Sequence, residues 1–292
     1  MNLLRRVRQV SASQDGNMII WDGNSARKEH AIPLRSSWVM TCAYGQCAED
    51  NPDPSSLVAC GGLDNVLSVY DVNKDVNRPV SELSGHEGYL SCCRFIGESK
   101  VLTASGDAKC IYWDLDRETQ TSTFDEHSMD VMCVAVSPTD KNMFASGSVD
   151  ETMKVWDIRS GKCTHTFGRK GDKFHTSDIN SVAFFPEGWS IGTGSDDSTC
   201  RIFDIRCYGQ LSNFEVPNTG IAVTSVAFSK SGRLLFAGYD DNKCHAWDLF
   251  GDAEQPSCVM REHSARISCL GVTPNGHALC TGSWDTHLRI WA

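Results

Sequence analysis

Short strands in which apolar and polar positions alternate recur along this chain, and each ends on a large aromatic side chain. The runs MIIW, CIYW, MKVW and HAW are examples, and the aromatics are Trp21, Tyr70, Trp113, Trp156, Phe203, Trp247 and Trp291. Six positions before each stands an aspartate: Asp15, Asp64, Asp107, Asp150, Asp197, Asp241 and Asp285. Small-residue runs such as VSAS, LTASG, FASGS and LCTGS lead into those aspartates, so each unit reads as strand, tight turn, strand. The aromatics follow one another at 49, 43, 43, 47, 44 and 44 residues, and six of the seven are followed by Asp.

A period of this length, with Trp-Asp closing each unit, is that of WD40 repeats, which form propeller blades of four strands. The fold class expected is all-β, a seven-bladed WD40 β-propeller. Within the units, His86, His127, His175 and His263 precede Asp107, Asp150, Asp197 and Asp285 by 21, 23, 22 and 22 residues. The spacing predicts a buried hydrogen-bonded chain of histidine, strand hydroxyl, turn aspartate and closing aromatic such as Trp113 or Trp156. Such a network forms because a buried polar group left unpaired costs about 1–3 kcal/mol. These histidines are read as structural.

Composition narrows the picture. Apolar residues make up 40% and charged residues 22%, enough for a sizeable core, and no run approaches the roughly 18 apolar residues that span a membrane. The fourteen cysteines include no C-x-x-C spacing, and Met1 to Val10 has no apolar stretch of secretory type. Cys42, Cys92, Cys93, Cys133, Cys200, Cys244 and Cys269 fall inside strand patterns and are expected to be core thiols of a cytoplasmic protein. A net charge of −10 argues against nonspecific nucleic-acid binding, which rests on Lys and Arg. No nucleophile elbow, phosphate-binding Gly-rich loop or H-E-x-x-H is present. No catalytic residue, cofactor or metal is expected. The carboxylate pairs Asp196/Asp197 and Asp240/Asp241 fall at blade turns that require only one aspartate, which leaves the first of each pair for a surface contact.

Longer strings carry more specific information. RSSWVMTCAY at 35–44, ACGGLDN at 59–65, GHEGYLSCCRF at 85–95, FSKSGRLLFAGYDDNKCHAWD at 228–248 and TGSWDTHLRIW at 281–291 resemble the beta subunit of heterotrimeric G proteins. The resemblance implies a propeller face that docks a GDP-bound alpha subunit and, after its release, effectors. The matching positions are Trp38, Met40, Leu63, Asn65, Tyr89, Asp130, Met132, Asp178, Asn180, Asp196 and Trp284. Aromatic residues and Met offer large adaptable area, and Asp or Asn at a rim can pair with basic groups. Trp284 stands directly before Asp285, where the other turns carry Gln14, Leu63, Gly106, Val149, Asp196 and Asp240. From the residues alone, Trp38 and Tyr89 serve equally well as caps of inner strands, and Asp130 and Asp178 as acceptors of loop amides. The resemblance assigns them to partner contacts. It also implies a second contact, for the amino-terminal helix of the alpha subunit, at Asn17, Ile19, Arg27 and Lys28; Asn17 stands where the family commonly has lysine.

The similarity begins at about Val10, so the chain divides into a non-matching leader, 1–9, and a propeller, 10–292. Family members start with a helix that pairs with a gamma subunit, and MNLLRRVRQ does not resemble it. The pattern supplies three strands for the first blade, four for each of the next five and three for the last, 26 where seven complete blades hold 28. An incomplete first blade and an open seam beside the last one are therefore expected. Two insertions, 45–56 and 168–177, include none of the proposed contact residues and are expected to tune a partner surface. The function expected is that of a noncatalytic transducer in receptor-coupled signalling, at the plasma membrane only through partners. The alternatives are a scaffold or decoy that acts without gamma and, more remotely, a substrate-recognition module of a ubiquitin ligase.

Overall fold

A computed structural model of the chain describes residues 8–23, 25–45, 56–74, 76–168, 174–217, 220–251 and 255–292. Among the described residues all regular elements are strands, in seven antiparallel sheets grouped in two compact units, 1–131 and 132–292. The first unit holds β1 (Arg8–Ala12), β2 (Asn17–Asp22) and β3 (Arg27–Pro33), then β4 (Val39–Tyr44), β5 (Leu57–Gly62), β6 (Val66–Asp71) and β7 (Ser81–Ser84). Its third sheet is β8 (Leu90–Ile96), β9 (Lys100–Ser105), β10 (Cys110–Asp114) and β11 (Thr119–Phe124). The second unit contains β12 (Val131–Val136), whose first residue closes the preceding unit, β13 (Met143–Ser148), β14 (Met153–Asp157) and β15 (Lys162–Phe167), followed by β16 (Ile179–Phe184), β17 (Ser190–Ser195), β18 (Thr199–Asp204) and β19 (Gly209–Glu215). It continues with β20 (Val223–Phe228), β21 (Leu234–Tyr239), β22 (Cys244–Asp248) and β23 (Cys258–Met260), and ends with β24 (Ile267–Val272), β25 (Leu279–Ser283) and β26 (Leu288–Trp291).

The blade count and strand count expected from the repeat are both present among the described residues, with three strands in the first and last sheets. Strands follow one another in space as in sequence, the meander that short turns enforce. The residue after each turn aspartate has a positive φ: Gly16, Asn65, Ala108, Glu151, Ser198, Asn242 and Thr286. The aspartate supports this left-handed residue by accepting the next amide, as Asp107 Oδ1 does from Lys109 at 3.0 Å. The leader expected at 1–9 falls mostly outside the described residues, but Arg8 and Gln9 already pair with Asp22 and Trp21. Most of the insertion at 45–56 and the middle of that at 168–177 also lie outside them.

Within each unit, successive sheets pack face to face. Met18, Ile20, Val39, Val58 and Tyr70 form one core of the first unit, and Leu67, Leu90, Phe95, Val101 and Trp113 form another. In the second unit, Met153, Phe167, Ile179 and Phe203 pack together, and Phe214, Val223, Leu235 and Trp247 form the next layer. Cys92, Cys93, Cys133, Cys200 and Cys244 are buried as the strand pattern predicts, whereas Cys42 is only half-buried and Cys269 is exposed. Cys269 lies on the last sheet of its unit, where no following sheet of that unit covers the outer face. Alternation within a strand names a face but not whether another sheet lies upon it.

Candidate functional site

A structural network positions several of the loops from which candidate residues project. In the third blade, His86 Nδ1 lies 2.8 Å from Asp107 Oδ2 and its Nε2 lies 2.7 Å from the Thr103 hydroxyl. The Trp113 indole N–H donates to the same hydroxyl at 2.8 Å. Burial opposes the charge on Asp107, but the His86 bond and the amides of Glu87 and Lys109 prevail and hold its carboxyl down at about 2. The last blade repeats the arrangement through His263, Thr281, Asp285 and Trp291. In the fifth blade His175 meets Asp197 and Thr193, but Phe203 has no N–H to complete the chain. In the fourth blade His127 is buried and Trp156 donates to Ser146 at 2.8 Å, while Asp150 accepts the Thr152 amide. In the third, fifth and last blades the histidine fastens the loop entering the blade to that blade's aspartate turn.

In the first unit, Trp38, Leu63 and Asn65 lie on the loop and turn of the second blade, Met40 is the second residue of β4, and Tyr89 and Asp130 directly precede β8 and β12. Trp38, Met40 and Leu63 are 50%, 46% and 52% exposed, so none caps a strand in the core. Trp38 has φ +69°, a costly conformation for a bulky residue, fixed by bonds from its N–H to Gln14 O and to its carbonyl from the Leu63 amide. The carbonyl approaches Gly62 so closely that a Cβ there would come within 2.1 Å of it. Tyr89 donates its hydroxyl to Asp130 Oδ2 at 2.8 Å, and its carbonyl accepts the Gly106 amide. Its ring lies on Gly106, where a Cβ would meet ring atoms at 2.4 Å. Asn65 is tied to the Glu87 carbonyl at 3.3 Å.

In the second unit, Asn180 donates to Asp196 Oδ1 and to the Val223 carbonyl, and the Asp196 amide donates to the Asp178 carbonyl. Met132 is half-buried near the start of β12. Trp284 is 56% exposed. Arg266, which sequence reasoning passed over, lies with its guanidinium 4.4 Å from the Trp284 ring centroid and its Nε 3.4 Å from Asp240. Asp196 and Asp240 line one hollow with Ile221 and Ala222 between them. The first members of the two carboxylate pairs therefore face solvent together. On the first blade, Arg27 and Lys28 are exposed on β3, while Asn17 and Ile19 on β2 are half-buried. Among the described residues no group of His, Cys, Asp and Glu is placed to hold a metal ion, and no helix is long and apolar enough to cross a membrane.

Comparison with known proteins decides what these turns belong to. Residues 5–292 match the family model described as G protein beta WD-40 repeat protein. The chain is 45% identical over 303 residues to a guanine nucleotide-binding protein subunit beta of Nicotiana tabacum, covering 98% of this chain and 78% of that one. A protein of the same name in Arabidopsis thaliana is 45% identical over 305 residues, and one in Oryza sativa subsp. japonica is 44% identical over 306. The chain belongs to the G protein beta subunit family. Its seven sheets are accordingly the blades of a WD40 propeller, and the resemblance in RSSWVMTCAY, ACGGLDN and TGSWDTHLRIW is one of family. A role as a signalling scaffold of the G protein beta type follows from that membership, as does association with alpha and gamma subunits and effectors in general terms.

Proposed function

We propose that this beta-family chain is a noncatalytic transducer that binds a GDP-bound alpha subunit and, once that partner leaves, effectors through overlapping residues. The observation that carries the reading is the outward presentation of large side chains on the turns and at the first strand residues of the blades. Trp38, Met40 and Leu63 in the first unit and Trp284 in the second are each about half exposed. Exposed aromatic and Met side chains next to fixed polar groups are the usual material of interface hot spots, since their ordering entropy is already spent. The acidic hollow of Asp196 and Asp240 complements basic residues of a partner. Asn17, Ile19, Arg27 and Lys28 supply the second contact, for the alpha subunit's amino-terminal helix. Membrane association then comes through partners.

The test is capture of the purified chain on immobilised GDP-loaded alpha subunit, with Trp284→Ala and Trp38→Ala as variants. The reading expects capture of the parent chain and a loss of at least tenfold in Trp284→Ala, with unchanged circular dichroism. Equal capture of parent and both variants would refute the assignment of these residues. No capture of soluble, folded chain would favour a scaffold that serves other partners.

A further inference from the structure

In four blades a histidine stands four residues before the inner strand: His86 before Leu90, His127 before Val131, His175 before Ile179 and His263 before Ile267. In the second blade that position, four before Val39, belongs to Arg35. Its side chain does not enter the blade. It is 78% exposed and pairs with Glu82 at 3.0 Å. The place that imidazole fills elsewhere is open, and a cleft of about 380 Å³ is found there.

The walls of the cleft correspond to the network residues of the third blade. Strand register aligns Tyr70 with Trp113, since they pair with Val58 and Val101, and Cys60 with Thr103, since they pair with Ser68 and Ile111. Asp64 is the turn aspartate, as Asp107 is. In the third blade Asp107 Oδ2 receives His86 Nδ1 and the Glu87 amide. Among the described residues Asp64 accepts only the Val66 amide, on Oδ1 at 3.4 Å, and no histidine faces it. A carboxylate with an open oxygen at the mouth, Val39 and Tyr70 along the walls and Cys60 among the lining groups make a slot suited to a flat ring with one N–H.

We propose that this cleft is a binding site for a small planar N–H-donating heterocycle of the imidazole type. The ring takes the place of the missing histidine, donates to Asp64 and packs against Val39 and Tyr70. The site adjoins the candidate partner surface: Leu63 precedes Asp64 directly, and the Trp38 carbonyl rests against Gly62, another wall of the cleft. Occupancy therefore acts on the turn that presents Leu63 and on the strained residue Trp38.

The experiment is a titration of the full chain, nitrogen-15 labelled, with imidazole in mildly alkaline buffer, read from amide shifts and the Trp38 indole signal. Saturable shifts are expected at Cys60, Asp64, Asn65, Val66 and Trp38. In Asp64→Asn, which keeps an oxygen for the Val66 amide, affinity falls at least tenfold. In Arg35→His, the introduced side chain fills the slot, abolishes the shifts and raises the melting temperature. 1-Methylimidazole, neutral in this buffer and without an N–H, binds at least tenfold more weakly. A blocked Gly-His-Gly peptide that reproduces the shifts assigns the site to a partner's side chain, and its failure assigns the site to a free heterocycle. Shifts that do not saturate, or that persist unchanged in Asp64→Asn, would overturn the proposal.

Discussion

Thr103→Val tests whether the blades are held by the buried polar chain or by packing alone. Thr103 is fully buried, and its hydroxyl receives the Trp113 N–H at 2.8 Å and lies 2.7 Å from His86 Nε2. With Nδ1–H directed at the Asp107 carboxylate, Nε2 accepts from the threonine, so one hydroxyl serves two partners. Valine keeps the shape and leaves both partners unpaired. At roughly 1–3 kcal/mol for each orphaned group the loss is about 2–6 kcal/mol. The fifth blade contains its own control. Thr193 is equally buried, lies 2.6 Å from His175 Nε2 and, like Thr103, stands 3.3 Å from a carbonyl on the neighbouring strand. The aromatic beside it is Phe203, so Thr193→Val orphans one group and costs about 1–3 kcal/mol. Urea unfolding followed by circular dichroism and by tryptophan fluorescence measures both variants, with a constant slope as the check that the unfolded states match. A neutral Thr103→Val, or one within about 0.5 kcal/mol of Thr193→Val, would refute the reasoning.

Acid should unfold the protein in two stages. Burial, outweighing the pull of Asp197, lowers the pKa of His175, and desolvation does the same to His245, so the unfolded state takes up protons first and stability declines as pH falls below the ordinary value of 6.5. Asp107 contributes stability above its ordinary value of 3.8, which is lost as pH falls towards about 2. Melting temperature against pH checks both stages, and Asp107→Asn should flatten the lower one. Arg266→Ala removes a stacking contact worth about 0.5–1 kcal/mol at an exposed site and should weaken alpha-subunit capture about two- to fivefold with no change in melting temperature. Amides of β26, which pairs with β25 alone among the described residues and exposes Leu288 and Ile290, should exchange faster than those of the doubly paired β10. Equal protection of the two strands would count against an open edge there.

Much of the architecture could be read in the chain because the repeat places one turn and one closing aromatic in every blade. The strand count, the short first and last sheets and the chain from His86 to Trp113 all follow from that spacing. The outward position of Trp284 was legible because no other turn has an aromatic there. Less legible was what depends on direction rather than spacing. Arg266 occupies an ordinary polar position before β24, and only the folded turn brings it over Trp284 and to Asp240. Arg35 fits the histidine position by spacing, but a repeat sought through its histidines does not reveal a blade that lacks one. Cys269 shares the strand pattern of Cys92, and that pattern does not tell the exposed thiol from the buried one.

The central claim is nucleotide-dependent partnership, and the direct measurement is the affinity of the purified chain for one alpha subunit in two states, loaded with GDP or with a transition-state mimic of GTP. The account predicts tight binding to the GDP form, at least tenfold weaker binding to the mimic-loaded form, and loss of the difference in Trp284→Ala. Equal affinity for the two forms, or a difference that survives in Trp284→Ala, would contradict it.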